Sequence, residues 1–399
     1  MRKFMTTGIV VTGDKYFSRP KDEKRLWRLI EQGSHVLLLA PRRVGKTSLI
    51  AHIKNNPKSG YAVIYVFVQA CDSEQTFYEK LLREIYRSDH VKRFDKIKNA
   101  FIEKAKNINF SLALSPTNID LDLNGKEVKK TIITHEMIRD LLYESLKNGS
   151  DTVIIAIDEF PDVLERVSEN DGKQGVEHFL SGIRALCQDP EFNEKVQFIL
   201  TGSIGLDTLA EKLGVTDRIN MLSSAYIRPL TNSQALEFID FYMNRYNTDL
   251  ILDMETKDAI ITAVGWNMPY YLGLVCGQLS DIADEEERAI NSIDVEIAIN
   301  ALFTQSNTTN FAHWRDRLNR LNALEQKYTY QILDLICTTT PITKGELFNL
   351  SQHPDFKETL NHRYIINCLL NDGYLYQDEA EVYQFTSPLL KRWWGRYGS

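Results

Sequence analysis

From His35 to Ile50 the chain reads HVLLLAPRRVGKTSLI, an apolar run joined through a short polar turn to a second apolar-periodic stretch. The first run is too short for a helix and ends at a breaker, so it reads as a buried strand, and the residues after Gly45 read as a helix. A strand that delivers a loop onto a helix N-terminus leaves backbone N–H groups pointing outward, and such a terminus favours an anion. Gly45, Lys46 and Thr47 supply what a nucleoside triphosphate needs: close backbone approach, a mobile cation for the β- and γ-phosphates, and a hydroxyl for Mg²⁺. Pro41, Arg42, Arg43, Val44 and Ser48 complete the candidate phosphate-binding loop. One position departs from the G-x-x-x-x-G-K-[ST] pattern, because Ala40 stands where the first glycine would be. Its methyl group fits if the backbone keeps φ negative, and Pro41 biases Ala40 toward an extended backbone.

Four further stretches carry strand patterns: Tyr61 to Ala70, Asp151 to Phe160, Lys195 to Ser203 and Ser223 to Leu230. Helical patterns separate them, at about Pro20 to Gln32, from the loop to Asn55, Ser73 to Arg87, Thr134 to Lys147 and Gly175 to Cys187. Apolar strands alternating with helices predict an α/β fold, a parallel sheet with helices on both faces. Between about Arg93 and Lys130 the period changes, and INFSLALSPTNIDLDLN reads as a hairpin within an insertion, a candidate partner surface.

From Thr231 the pattern is helical alone. Thr231 and Gln234 have capping-box spacing for a helix to about Tyr246, and further helices are expected at Asp253 to Val264, Pro269 to Asp284 and Ile293 to Phe303. The polar stretch Thr304 to Asn310 reads as a linker. Beyond it, helices at Leu324 to Cys337, Thr343 to Leu350 and Asn361 to Asn371, then two short strands around Asp378-Glu379, make a winged helix-turn-helix pattern. The expected division is therefore an α/β core over residues 1–229, an all-α lid domain over 230–306 and a winged-helix domain over 307–399.

The 399 residues carry 47 Lys+Arg against 54 Asp+Glu, a formal net charge of −7, which gives no global field for nucleic acid or an anionic membrane. Five scattered cysteines without a C-x-x-C pair, and histidines without H-E-x-x-H spacing, predict no disulfide framework and no structural metal. The N-terminus has no signal-type apolar run and nothing approaches a membrane span, so a cytoplasmic protein is expected.

The phosphate-binding loop predicts a partner acid at the end of a neighbouring strand, and VIIAIDEF supplies two. Asp158 is placed to bind Mg²⁺ through water, and Glu159 to accept a proton from the attacking water. A polar side chain at another strand tip would orient that water. Thr201 and Ser203 in ILTGS are the candidates, Ser203 preferred.

With these elements in order, APRRVGKTS, IIAIDEF, ILTGS, RPLT, WNMPYYL and the ending YQFTSPLLKRWWGRY, the chain resembles archaeal-type P-loop ATPases of the AAA+ and STAND division that carry a C-terminal winged helix. The resemblance implies ATP/ADP as ligand, with Phe17 and Arg19 near the adenine and Pro269 near the nucleotide. It places Arg218 where AAA+ proteins carry an arginine finger. No Arg or Lys occupies the usual sensor position of the lid, where Pro269, Tyr270 and Tyr271 stand, and this argues against ring-type cooperative hydrolysis. From Tyr330 to Ser399 six Lys and Arg face eight Asp and Glu, and the wing itself is acidic, so a protein partner or self-association is favoured over DNA. The resulting expectation is an ATPase switch, with a DNA-binding ATPase and a nucleotide-occupied scaffold for a protein partner as the alternatives.

Overall fold

A computed structural model describes residues 8–88, 132–146, 151–192, 195–203, 206–246, 249–304, 310–319, 321–339, 342–356 and 360–398. The expected hairpin insertion from Arg93 to Lys130 lies outside the described residues. The chain divides into two compact units, one of residues 19–39 and 47–226, the other of 1–18, 40–46 and 227–399.

The first unit runs α1 (Pro20–Glu31), β1 (His35–Ala40), α2 (Lys46–Asn55), β2 (Tyr61–Phe67), α3 (Glu74–Arg87), α4 (His135–Leu146), β3 (Thr152–Asp158), α5 (Phe160–Cys187), β4 (Val196–Ser203), α6 (Leu206–Leu213) and β5 (Leu222–Tyr226). Ala40 and Lys46, the residues that flank the loop, belong with it to the second unit. The sheet order is β2-β3-β4-β1-β5. The registered pairs β2–β3, β3–β4 and β1–β5 are parallel. The strand neighbouring β1 on the acid's side is thus β4, and the expected neighbour carrying Asp158 lies one strand further away.

Burial explains the strand patterns. In β3 every residue from Val153 to Asp158 is buried, as a sheet covered on both faces requires. Ile155 and Ile157 join Phe77, Phe160 and Phe179 in the main apolar cluster of this unit. His35 adds a polar tie: its Nδ1 accepts from the Phe198 N–H at 3.1 Å and its Nε2–H donates to the Cys187 carbonyl at 2.6 Å. Both bonds together require the neutral ring protonated on Nε2.

α5 begins earlier than the sequence pattern indicates, at Phe160 instead of near Gly175, with a break at Gly172 where φ is 64°. Pro161 opens this helix against β4. A Cβ on Gly202 would lie 2.4 Å from Pro161 Cγ, so the glycine of ILTGS admits the helix start against the end of β4.

The second unit contains α7 (Asn232–Tyr246), α8 (Met254–Val264), α9 (Pro269–Glu286), α10 (Asp294–Leu302), α11 (Ala312–Leu318), α12 (Ala323–Thr338), β6 (Ile342–Thr343), α13 (Lys344–Ser351), α14 (His362–Asn371), β7 (Leu375–Gln377), β8 (Val382–Phe385) and α15 (Pro388–Tyr397). The short α11 and the two-residue β6 carry no recognisable periodicity in the sequence. β6, β8 and β7 form a small antiparallel sheet in that order. The segments expected as lid and C-terminal domains pack together in this unit. Ser387 Oγ donates to the Val264 carbonyl at 2.6 Å, and Arg392 Nη1 reaches Glu296 Oε2 at 2.7 Å. Among the described residues no helix is long and apolar enough to cross a membrane.

Candidate nucleotide site

The loop after β1 has the backbone its sequence requires. Gly45 has φ 97° and Arg43 φ 69°, both left-handed, whereas Ala40 stays out of that region. The methyl group at the departing position is therefore accommodated without strain. Val44 is fully buried and anchors the loop, and Lys46 and Ser48 lie buried in the first turn of α2. Arg43 stacks its guanidinium 4.3 Å from the ring centroid of Tyr270. Tyr270 follows Pro269, which opens α9 at its first turn. The WNMPYYL segment thus touches the loop through an aromatic ring, at positions where the resemblance leads one to expect a cation and this chain has none.

Lys46 is followed directly by Thr47, whose hydroxyl donates to Asp158 Oδ2 at 2.8 Å. α2 reaches Asp158 on β3 past the intervening β4, and β4 contributes to the same cluster. Thr201, fully buried, donates its hydroxyl to Asp158 Oδ1. The Glu159 N–H donates to Asp158 Oδ1 at 3.1 Å, and the Tyr65 hydroxyl donates to Oδ2 at 3.0 Å. Burial, with the carboxylates of Asp158 and Glu159 beside it, pushes the Tyr65 phenol well up, so it stays a donor.

Glu159 caps α5 in the left-handed region at φ 61°. A non-glycine residue there costs about 1 kcal/mol or more, and such strain concentrates at functional sites. The turn directs the chain out of β3 immediately after the buried Asp158 and leaves Glu159 partly exposed.

The backbone of Ser203 ends β4, but its side chain lies outside the described residues. Of the two candidates in ILTGS, Thr201 is the one seen bonded to the acid. Phe17 meets Phe238 and Phe241 edge-on, with centroid distances of 5.4 and 5.3 Å. Arg19 is buried at the start of α1, where its Nε pairs with Asp22 at 2.8 Å. Arg218 Nη1 donates to Ser181 Oγ at 3.1 Å and its Nε lies 3.3 Å from Asp217, bonds that any role in a neighbouring site would have to displace.

Thr47 and Asp158 are the groups that could serve a cation. Among the described residues no cluster of three or more His, Cys, Asp or Glu side chains could hold a metal. One hydroxyl beside one carboxylate suits Mg²⁺, which keeps several waters and is bound largely through nucleotide phosphates. Tyr65 had no signal in the sequence, since an aromatic in an apolar strand reads as packing.

A parallel sheet with a phosphate-binding loop after one strand and an acid at the end of another is the arrangement of a P-loop ATPase. The chain belongs to the family described as an ATPase domain predominantly from Archaea, whose family model matches residues 16–275. Among solved structures it is similar to the Walker-type ATPase PABY2304 of Pyrococcus abyssi, at 17% identity and a TM-score of 0.60, over 95% of this chain and 96% of that one. It is also similar to the ORC2 protein of Aeropyrum pernix, solved as ADPNP–ADP complexes, at 11% identity and a TM-score of 0.53, over 94% of this chain and 91% of that one. At these identities the likeness is one of fold. No curated protein shows significant similarity to the chain.

Proposed function

We propose that this protein is a Mg²⁺-dependent ATPase that works as a nucleotide-driven conformational switch. The observation that carries this reading is the 2.8 Å hydrogen bond from Thr47, next to Lys46, to the buried acid Asp158 on another strand. Loop N–H groups and Lys46 would hold the phosphates, and Thr47 would turn its lone pairs outward while its O–H keeps donating to Asp158. Bound Mg²⁺ would supply charge neutralisation at the β- and γ-oxygens. Glu159 would take the proton of the attacking water, and Thr201 would keep Asp158 oriented. Residues 1–229, 230–306 and 307–399 are read as ATPase core, helical lid and winged helix, Phe17 and Arg19 as adenine-side residues, and Pro269 as a residue near the nucleotide. The absence of a cation at Tyr270 and Tyr271 favours a STAND-type switch over a cooperative ring, with Arg218 the residue to test if assembly occurs.

A protein partner or self-association fits the C-terminal region better than DNA. Lys344 faces Glu381 at 3.7 Å, Lys327 pairs with Asp355 at 2.7 Å, and Arg317 bonds Asp372. Cations already neutralised by neighbouring acids gain little from phosphates. The reading is tested by ATP binding and phosphate release, measured with the molar mass of the protein, with and without ATP and Mg²⁺. Binding of ATP without any phosphate release would favour the scaffold alternative, and no binding would end the proposal.

A further inference from the structure

The surroundings of Asp158 add a component that the motif does not contain. An ionised carboxylate offers about four acceptor positions, two per oxygen. At least four donors approach Asp158: Thr47 and Tyr65 on Oδ2, Thr201 and the Glu159 N–H on Oδ1. If Asp158 serves Mg²⁺ through water, that water needs an acceptor position too, so one of the donors has to yield.

The candidates differ in their freedom to do so. The Glu159 N–H is main chain, set by the turn into α5. Thr201 is fully buried on β4, in the sheet between β3 and β1. Thr47 is the hydroxyl next to Lys46 that serves the cation itself. Tyr65 is different, because it is half-buried on the edge strand β2 and carries its hydroxyl at the end of a long side chain. Register explains its reach: Tyr65 pairs with Ala156 and Phe67 with Asp158. Paired residues of a parallel sheet share a face, so the phenol leans along the strand past the small Ala156 to the acid two residues on.

Resting on the Mg²⁺-nucleotide reading of this site, we infer that Tyr65 competes with a Mg²⁺-bound water for Asp158 Oδ2. The hydroxyl holds the acceptor position that this water would take, and Tyr65 thereby sets the Mg²⁺ concentration at which nucleotide is bound tightly. A residue that only positioned Asp158 would act in the opposite direction, since its loss would weaken the cation site.

The test is a Mg²⁺ titration of the full-length chain with a fluorescent ADP at fixed concentration, for the wild type and Tyr65→Phe. The half-saturating Mg²⁺ concentration is expected to fall about tenfold in Tyr65→Phe, the effect of removing one hydrogen bond to a charged group, while ADP affinity in EDTA stays unchanged. Tyr65→Leu removes the hydroxyl in a smaller side chain and has to shift the midpoint the same way, which separates the effect from a packing defect of one variant. An unchanged or raised midpoint in both variants, with a Mg²⁺-responsive wild type, overturns the inference alone. A wild type whose ADP affinity ignores Mg²⁺ overturns the site reading and the inference with it.

Discussion

Thr47, in the first turn of α2, donates its hydroxyl to Asp158 at the end of β3 across 2.8 Å, although β4 lies between β3 and β1 in the sheet. Thr201 on that intervening strand bonds the same carboxylate. Three elements distant in sequence therefore meet at one buried charge.

Thr47→Val is expected to weaken Mg²⁺-dependent nucleotide binding about tenfold or more, because it deletes a hydrogen bond to a charged group, worth ~1.5–3 kcal/mol, along with the hydroxyl offered to the cation. Calorimetric titration with ADP in Mg²⁺ and in EDTA checks this. An equal loss in both buffers would mean a packing defect instead of a cation role.

Lys46→Ala is expected to abolish nucleotide binding, whereas Glu159→Gln should retain it and lose turnover by roughly 10²- to 10⁴-fold, the usual contribution of a general base. Wild-type phosphate release from Glu159→Gln would show that the base lies elsewhere.

Glu159→Gly separates strain from chemistry. Glycine adopts the left-handed turn at φ 61° without steric cost, so relief of about 1 kcal/mol should raise the thermal midpoint by a few degrees while phosphate release disappears. A lowered midpoint would mean that the Glu159 side chain contributes more to folding than its backbone costs.

His313 predicts an acid limb in stability. Burial first, then the nearby Arg43, Arg42 and Arg317, holds its pKa down at about 3, and its Nε2 lies 2.9 Å from the Tyr271 hydroxyl. The unfolded chain binds a proton near pH 6.5 that the folded chain refuses until about pH 3, so the contribution is intact above 6.5 and falls with pH across that window. The slope from this residue approaches about 1.4 kcal/mol per pH unit. Denaturant titrations of the wild type and His313→Gln from pH 7 to 4 should converge as pH falls. Parallel curves would assign the acid limb to other groups, among them His35, whose burial also lowers its pKa.

Duplex DNA is expected not to bind at moderate ionic strength with ATP present, given the internal pairing of Lys344, Lys327 and Arg317. An electrophoretic shift whose affinity falls steeply with salt would reverse that choice.

What could be read in advance was local. The strand into Ala40, the loop to Thr47 and the strand into Asp158 each announce themselves by an apolar run that ends at a breaker or an acid, and neighbouring residues suffice to set them. The first half of α5 was missed because its start depends on the left-handed turn at Glu159 and on the space Gly202 leaves for Pro161. The seven-residue α11 is too short for its period to register, yet Trp314 and Leu318 are buried once it packs.

By itself the sequence located the five strands and most helices of the α/β part, the loop residues Gly45, Lys46 and Thr47 after β1, and the acids Asp158 and Glu159 where β3 ends, because covalent neighbours and short-range periodicity decide those features. Only the tertiary structure decided that β4 separates β1 from β3, that Thr201 bonds the acid, and that Tyr65 shares Oδ2 with Thr47. Those facts depend on strand order and parallel register, which bring together residues scores of positions apart and leave no trace in local pattern.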